Sequence, residues 1–204
     1  MARITKDPVV RRNEIIDAAE ELFYSVGYDE TSVSDIVKSI GVAQGTFYNY
    51  FASKEAVLEA LVERHVSQIS AKLAGIENSE MTAIQKFERM FYTIFENLRN
   101  GDGWAFDFLY YNKHLQITEK LIRQSSSMFL PFNKKIIEEG IQQRIFHVDY
   151  IDETLEFIAA VLQCFAHALY QKKTDNELRQ RLAIVSKMIA GALSIENHEL
   201  QLVI

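Results

Sequence analysis

Cysteine, proline, glycine and positive charge are all scarce in this chain, and each shortage excludes something. Among 204 residues there are one cysteine, two prolines and eight glycines. A lone Cys164 can form no internal disulfide, so a reducing, cytoplasmic compartment is expected. Few Pro and Gly disfavour many short strands joined by tight turns and favour long helices. A membrane span needs roughly 18 or more consecutive apolar residues. The nearest candidate, Phe157 to Leu169, is shorter and is broken by Gln163 and His167, so no membrane partner is expected. The first residues carry charge and then an amphipathic pattern, without the apolar core of a signal peptide. With 22 Lys and Arg against 28 Asp and Glu, the net charge is −6. That balance excludes broad, non-specific nucleic-acid binding and leaves room for specific binding through a local patch.

Catalytic and metal-binding patterns are missing too. His65, His114, His147, His167 and His198 are scattered, and Cys164 and His167, three apart, lack a third ligand. Gly101-Asp102-Gly103 has neither the third glycine nor the preceding strand of a dinucleotide loop, and there is no P-loop or GxSxG. No enzyme activity, metal or cofactor is expected.

What remains is helical pattern. Asp7-Pro8 is a helix start, since Asp caps and Pro at the first position gives up no needed N–H. Ile15, Ala18, Ala19, Leu22 and Phe23 form its apolar stripe, and Gly27 ends it. Ser32 with Asp35 makes a capping box for a second helix, whose buried face is Val33, Ile36, Val37 and Ile40. Gly41 turns the chain into a third helix. There Ala43, Phe47, Tyr50 and Phe51 share one face, while Gly45, Tyr48, Asn49 and Ala52 share the other. Ser53 caps a fourth helix, running to about Leu73 before a loop at Ala74–Ser79. Three short helices and the start of a longer one make a compact helix-turn-helix domain.

Further helices are predicted from about Ser79 or Thr82 to Leu98, over 117–143 with Pro131 kinking or splitting it, from about Asp152, and from a Thr174–Glu177 capping box. Between them Trp104, Phe106, Phe108 and Tyr110 alternate as a strand does. With no second strand-like run to pair with, that segment reads as a short helix. The fold class is thus all-α, about nine helices. A DNA-binding domain spans 1–54, a linking helix about 53–73, and a larger effector-binding and dimerisation domain 75–204.

Phe23 with Gly27-Tyr28, Thr31-Ser32-Val33, Ile36, Gly41-Val42, Gly45-Thr46-Phe47-Tyr48-Asn49-Tyr50-Phe51 and Ser53-Lys54-Glu55 together closely resemble the DNA-binding signature of the TetR (tetracycline-repressor-like) family. The match covers about residues 11–62. Beyond it, the chain resembles the family in helix count and in the run EEGIQQRIF, Glu138–Phe146. The resemblance implies that Gln44, Gly45, Thr46, Tyr48 and Asn49 face DNA, with Tyr50 at the edge. It also implies that Ser32, Ser34 and Lys54 sit over phosphates at helix starts, and that Phe47 and Phe51 are core. Ala43 stands where the family often has Ser, leaving the third helix without a side-chain cap.

It further implies a homodimer joined through the last two helices, where Ala159, Ala160, Ala166, Gly191 and Ala192 allow close approach. Phe91, Phe95, Trp104, Phe108, Tyr111, Phe129 and Phe132 line either an apolar effector pocket or an ordinary aromatic core. The function implied is a transcriptional regulator, a repressor released from a palindromic double-stranded DNA operator by a small apolar or aromatic effector. The alternative is a helical small-molecule carrier or interaction protein whose helix-turn-helix no longer binds DNA. Residues 1–64 hold seven Lys and Arg against eleven Asp and Glu, which keeps that alternative open. The cations cluster in an arm, Arg3, Lys6, Arg11 and Arg12, and with so few the salt dependence of DNA binding is expected to be shallow.

Overall fold

The structure, a computed structural model, describes residues 6–100, 115–171, 173–195 and 200–203. Helix α1 (Pro8–Ser25) begins on the predicted cap: the Asp7 carboxylate accepts the Val9 N–H at 2.8 Å, and Pro8 occupies the first turn. The chain leaves α1 through Gly27 at φ +102°, a region closed to most side chains. Helix α2 (Val33–Ser39) carries both halves of the Ser32–Asp35 box. Gly41 at φ +67° then lets the Val42 N–H fold back onto the Val37 carbonyl at 2.9 Å, delivering the chain to α3 (Gln44–Tyr48). Helix α1 packs on α4 (Lys54–Glu77), α2 packs on α1, and α3 packs on α2. Ile15, Ile16, Ala19, Phe23, Ile36, Phe47, Leu58 and Leu61 form the core of this head. The stripe on α1 is rotated slightly from expectation, with Ile16 buried and Leu22 half-buried.

Helix α4 does not stop near Leu73. It runs through Gly75 to Glu77, because Leu73 and Ile76 are both buried in the core of the body. Burying those two side chains outweighs the roughly 1 kcal/mol that a mid-helix glycine costs relative to alanine. Helix α5 (Ala83–Asn100) starts on the Thr82–Gln85 box, with reciprocal contacts of 3.0 and 3.4 Å. Helix α6 (Leu115–Gln142) contains Pro131 and is not split by it. Packing holds the helix on both sides of the proline: Leu121 is buried in the head, Ile136 and Ile137 in the body. Helices α7 (Ile151–Tyr170) and α8 (Asp175–Ala192) complete the body, α8 on its Thr174–Glu177 box.

Among the described residues there are eight helices and no strand. The expected ninth helix at 104–111 lies outside them. The body core gathers Phe87, Phe91 and Phe95 of α5 with Phe165 of α7 and Leu182, Val185 and Ile189 of α8. The Glu138–Phe146 run has a packing reason. Phe146 folds back over Gly140, and its ring fills the place that a Cβ on residue 140 would take. Two helices, α4 and α6, contribute to both cores. Lys120 of α6 also pairs with Glu59 of α4 at 2.6 Å, on the head side.

Candidate nucleic-acid interface

Helix α3 lies on the head with one face sealed and the other open. Phe47 is fully buried and packs against Phe51 at 5.9 Å between ring centroids. Opposite them, Gln44, Gly45, Tyr48 and Asn49 are exposed, Tyr48 at 54% despite an edge contact with Phe47. Thr46 is half-buried, and Tyr50 is half-buried against the head core. The open face therefore carries an amide, a hydroxyl, a phenol and a second amide on a helix narrow enough for a major groove. Ala43 makes no side-chain cap, as its identity requires.

Around this face several predicted contacts are placed differently. Ser34 is exposed and open to a phosphate. Ser32 is committed: its N–H donates to the Asp35 carboxylate at 2.9 Å and its hydroxyl at 2.5 Å, so it offers no free backbone N–H. Those bonds hold the Asp35 carboxyl below the usual carboxylate range, the Ser32 hydroxyl being the largest cause.

Lys54 is turned inward. Its ammonium donates to the backbone carbonyls of Tyr28 at 2.6 Å and Thr31 at 2.8 Å, approaches that of Asp29 at 3.5 Å, and lies 4.1 Å from the centroid of the Tyr28 ring. Partial burial pulls its pKa below the ordinary lysine value, with Asp29, Glu55 and Glu30 opposing. Tyr28 is buried, and that burial, with the Glu55 and Asp29 carboxylates nearby, pushes its pKa up.

The basic arm is also altered. Arg3 lies outside the described residues. Lys6 and Arg11 both pair with Glu14, Arg11 at 2.7 Å. Glu14 stands just beyond the arm in sequence, so a charge count over the first twelve residues leaves it out. Arg12 stacks its guanidinium 5.0 Å from the centroid of Phe51, directly behind α3.

In the body, Phe91 and Phe95 stack at 4.4 Å between centroids, and Phe165 closes on both at 6.0 and 5.3 Å. Phe91 and Phe95 are nearly fully buried, while Phe129 and Phe132 lie half-buried against the same core. Trp104, Phe108 and Tyr111 lie outside the described residues. Open clefts of about 520 Å³ beside Lys120 and Arg123, and of about 620 Å³ between α8 and residues 200–203, have none of Phe91, Phe95, Phe129 and Phe132 among their described lining residues. Among the described residues no group of His, Cys, Asp or Glu could hold a metal ion.

A capped helix, a glycine turn and a short helix with one sealed and one open face, mounted on a larger helical body, define a helix-turn-helix protein. The pattern of the bacterial regulatory proteins of the tetR family matches residues 15–61. The HTH-type transcriptional regulator YvdT of Bacillus subtilis is 45% identical over 69 residues, which is 32% of this chain and only 36% of YvdT. The fatty acid metabolism regulator protein of the same organism is 30% identical over 131 residues, 63% of this chain and 67% of that protein. Among solved structures, FadR from Bacillus subtilis in complex with stearoyl-CoA superposes with a TM-score of 0.69 at 24% identity, covering 89% of this chain and 97% of the other. The chain belongs to the tetR family.

Proposed function

We propose that this protein is a homodimeric, cytoplasmic transcriptional repressor that reads a palindromic operator and is released by a small apolar effector. The observation that carries the reading is the open face of α3, where Gln44, Gly45, Tyr48 and Asn49 stand clear of a core sealed by Phe47, with Thr46 half-buried among them. In this reading they meet base edges and phosphates, Tyr50 borders them, and Ser34 flanks a phosphate beside the committed Ser32. Two outward stripes support the dimer. On α7, Phe157, Ala160, Cys164 and His167 recur at helical spacing and are exposed; on α8, Ile184, Met188 and Gly191 do the same. Ala159 and Ala192 are exposed near them, whereas Ala166 faces the chain's own core and takes no part.

Kinship with a fatty acid metabolism regulator supports an effector with a long apolar chain, and the stearoyl-CoA bound to FadR makes an acyl-coenzyme A thioester the form to try first. The cytoplasmic assignment draws on the lone Cys164 and on the described helices, none of which is long and apolar enough to cross a membrane.

Selection from a randomised duplex pool tests the reading. Inverted-repeat sequences are expected to be enriched and to be released by stearoyl-CoA, with Tyr48→Ala binding the selected duplex at least about tenfold more weakly, as expected for loss of a base contact. A pool from which nothing is enriched leaves the carrier reading in its place.

A further inference from the structure

The turn Tyr28–Thr31 joins α1 to α2 and so sets the angle at which the α2–α3 pair stands on the rest of the head. Two features hold it from within, the Thr31 hydroxyl on the Gly27 carbonyl at 2.7 Å and the Thr31 N–H on the Tyr28 carbonyl at 3.3 Å. The turn also draws a partner from elsewhere: the Tyr28 carbonyl, which already accepts the Thr31 N–H, has a second lone pair to fill. That partner comes from 23 to 26 residues further along. Lys54, at the first position of α4, points its three N–H groups at the carbonyls of Tyr28, Thr31 and Asp29 and rests on the Tyr28 ring. An ammonium suits this position, since its three rotatable donors converge on three carbonyls where a planar guanidinium cannot.

We infer that Lys54 is a positioning residue for DNA recognition. It clasps the α1–α2 turn to the start of α4 and thereby sets the pose of α3, and its charge is used on carbonyls rather than on a DNA phosphate. This rests on the DNA-binding reading above. The two roles differ in what they predict. A phosphate contact survives in an arginine and contributes to counterion release. A clasp fails in an arginine and contributes nothing to the salt dependence.

The experiment uses the full-length protein, the selected duplex, and the variants Lys54→Met and Lys54→Arg, well below their melting temperatures. Hydrogen–deuterium exchange of the free proteins is expected to rise about tenfold or more at residues 28–37 in both variants, with α7 and α8 unchanged. Operator affinity is expected to fall about tenfold or more in both, at an unchanged slope of log affinity against log salt. A Lys54→Arg protein that binds as wild type, or a slope lower by about one per protomer in Lys54→Met, overturns the clasp in favour of a phosphate contact. Faster exchange with unchanged affinity overturns the positioning role and leaves a structural one. A wild-type protein that selects no DNA overturns the regulator reading itself and is recognised before any variant is made.

Discussion

Glu14 binds two cations of the N-terminal arm, Lys6 and Arg11. Lys6 above all holds its carboxyl below the usual range, with Arg11 adding to the effect. Glu14 is therefore ionised throughout the neutral range, and the pairing is lost only as pH falls through that depressed value. Both cations are thus engaged by one carboxylate before DNA arrives, in a head that already holds eleven acids, Glu14 among them, against seven bases in residues 1–64. Replacing Glu14 by Gln at neutral pH frees them. Operator affinity is expected to rise and the salt slope to steepen by up to about two counterions per protomer, read from binding isotherms at several salt concentrations. An unchanged slope shows that the arm does not reach the phosphates. Glu14 and Lys54 carry the same lesson at this scale. A charged residue in a DNA-binding motif is not thereby a DNA contact, because an intramolecular partner at hydrogen-bond distance competes with the phosphate.

Helix α6 is the element that ties the head to the body without a covalent linker. Helix α4 spans both cores by continuing past Leu73, but α6 reaches the head only through the side chains of its first turns, and Leu121 is its fully buried anchor there, at 1% exposure. Leu121→Ala is expected to cost about 2–5 kcal/mol, the range for emptying a packed leucine site. The loss falls on the head: exchange rises in α1 and the first half of α4 while α7 and α8 keep their protection. Equal loosening throughout means that head and body unfold as one unit and that Leu121 is an ordinary core residue. The same packing explains why Pro131 does not divide the helix. A proline removes one N–H and crowds one turn, a cost of about 3 kcal/mol. Burial of Ile136 and Ile137 on one side and Leu121 on the other exceeds that cost and keeps the element whole.

At the scale of the molecule, the proposed dimer places the α7 and α8 stripes of two protomers against each other. Phe157, at 73% exposure, is the most exposed large apolar side chain described, and Met188 at 53% lies on the companion stripe. A side chain of that kind buries about 150 Å² or more when covered and so makes a natural interface anchor. The double change Phe157→Glu with Met188→Glu is expected to give a folded monomer by sedimentation equilibrium. Its operator affinity falls by more than about tenfold, since one head reads only half of an inverted repeat. A variant that remains dimeric places the interface elsewhere. Symmetry links this scale to the first: a change in the pose of one α3 matters because the second must meet its half-site at a fixed spacing.

The parts legible in the sequence are those governed by neighbours a few residues apart. The Asp7 cap, the Ser32–Asp35 and Thr174–Glu177 boxes, the left-handed glycines at 27 and 41 and the open face of α3 all depend on contacts within about four residues. Periodicity therefore reports them faithfully. Family membership was legible for the same reason, because the signature is a local run at fixed spacing. What tertiary structure decided are the pairings across long separations. Lys54 meets carbonyls 23 to 26 residues away, Leu121 enters the head core from far along the chain, and Phe165 closes over Phe91 and Phe95. The persistence of α4 past Leu73 belongs here too, since only packing against the body makes burial of Ile76 outweigh Gly75. Whether a side chain is turned toward a partner or toward solvent is set by which helices pack together, and no local rule in a sequence contains that choice.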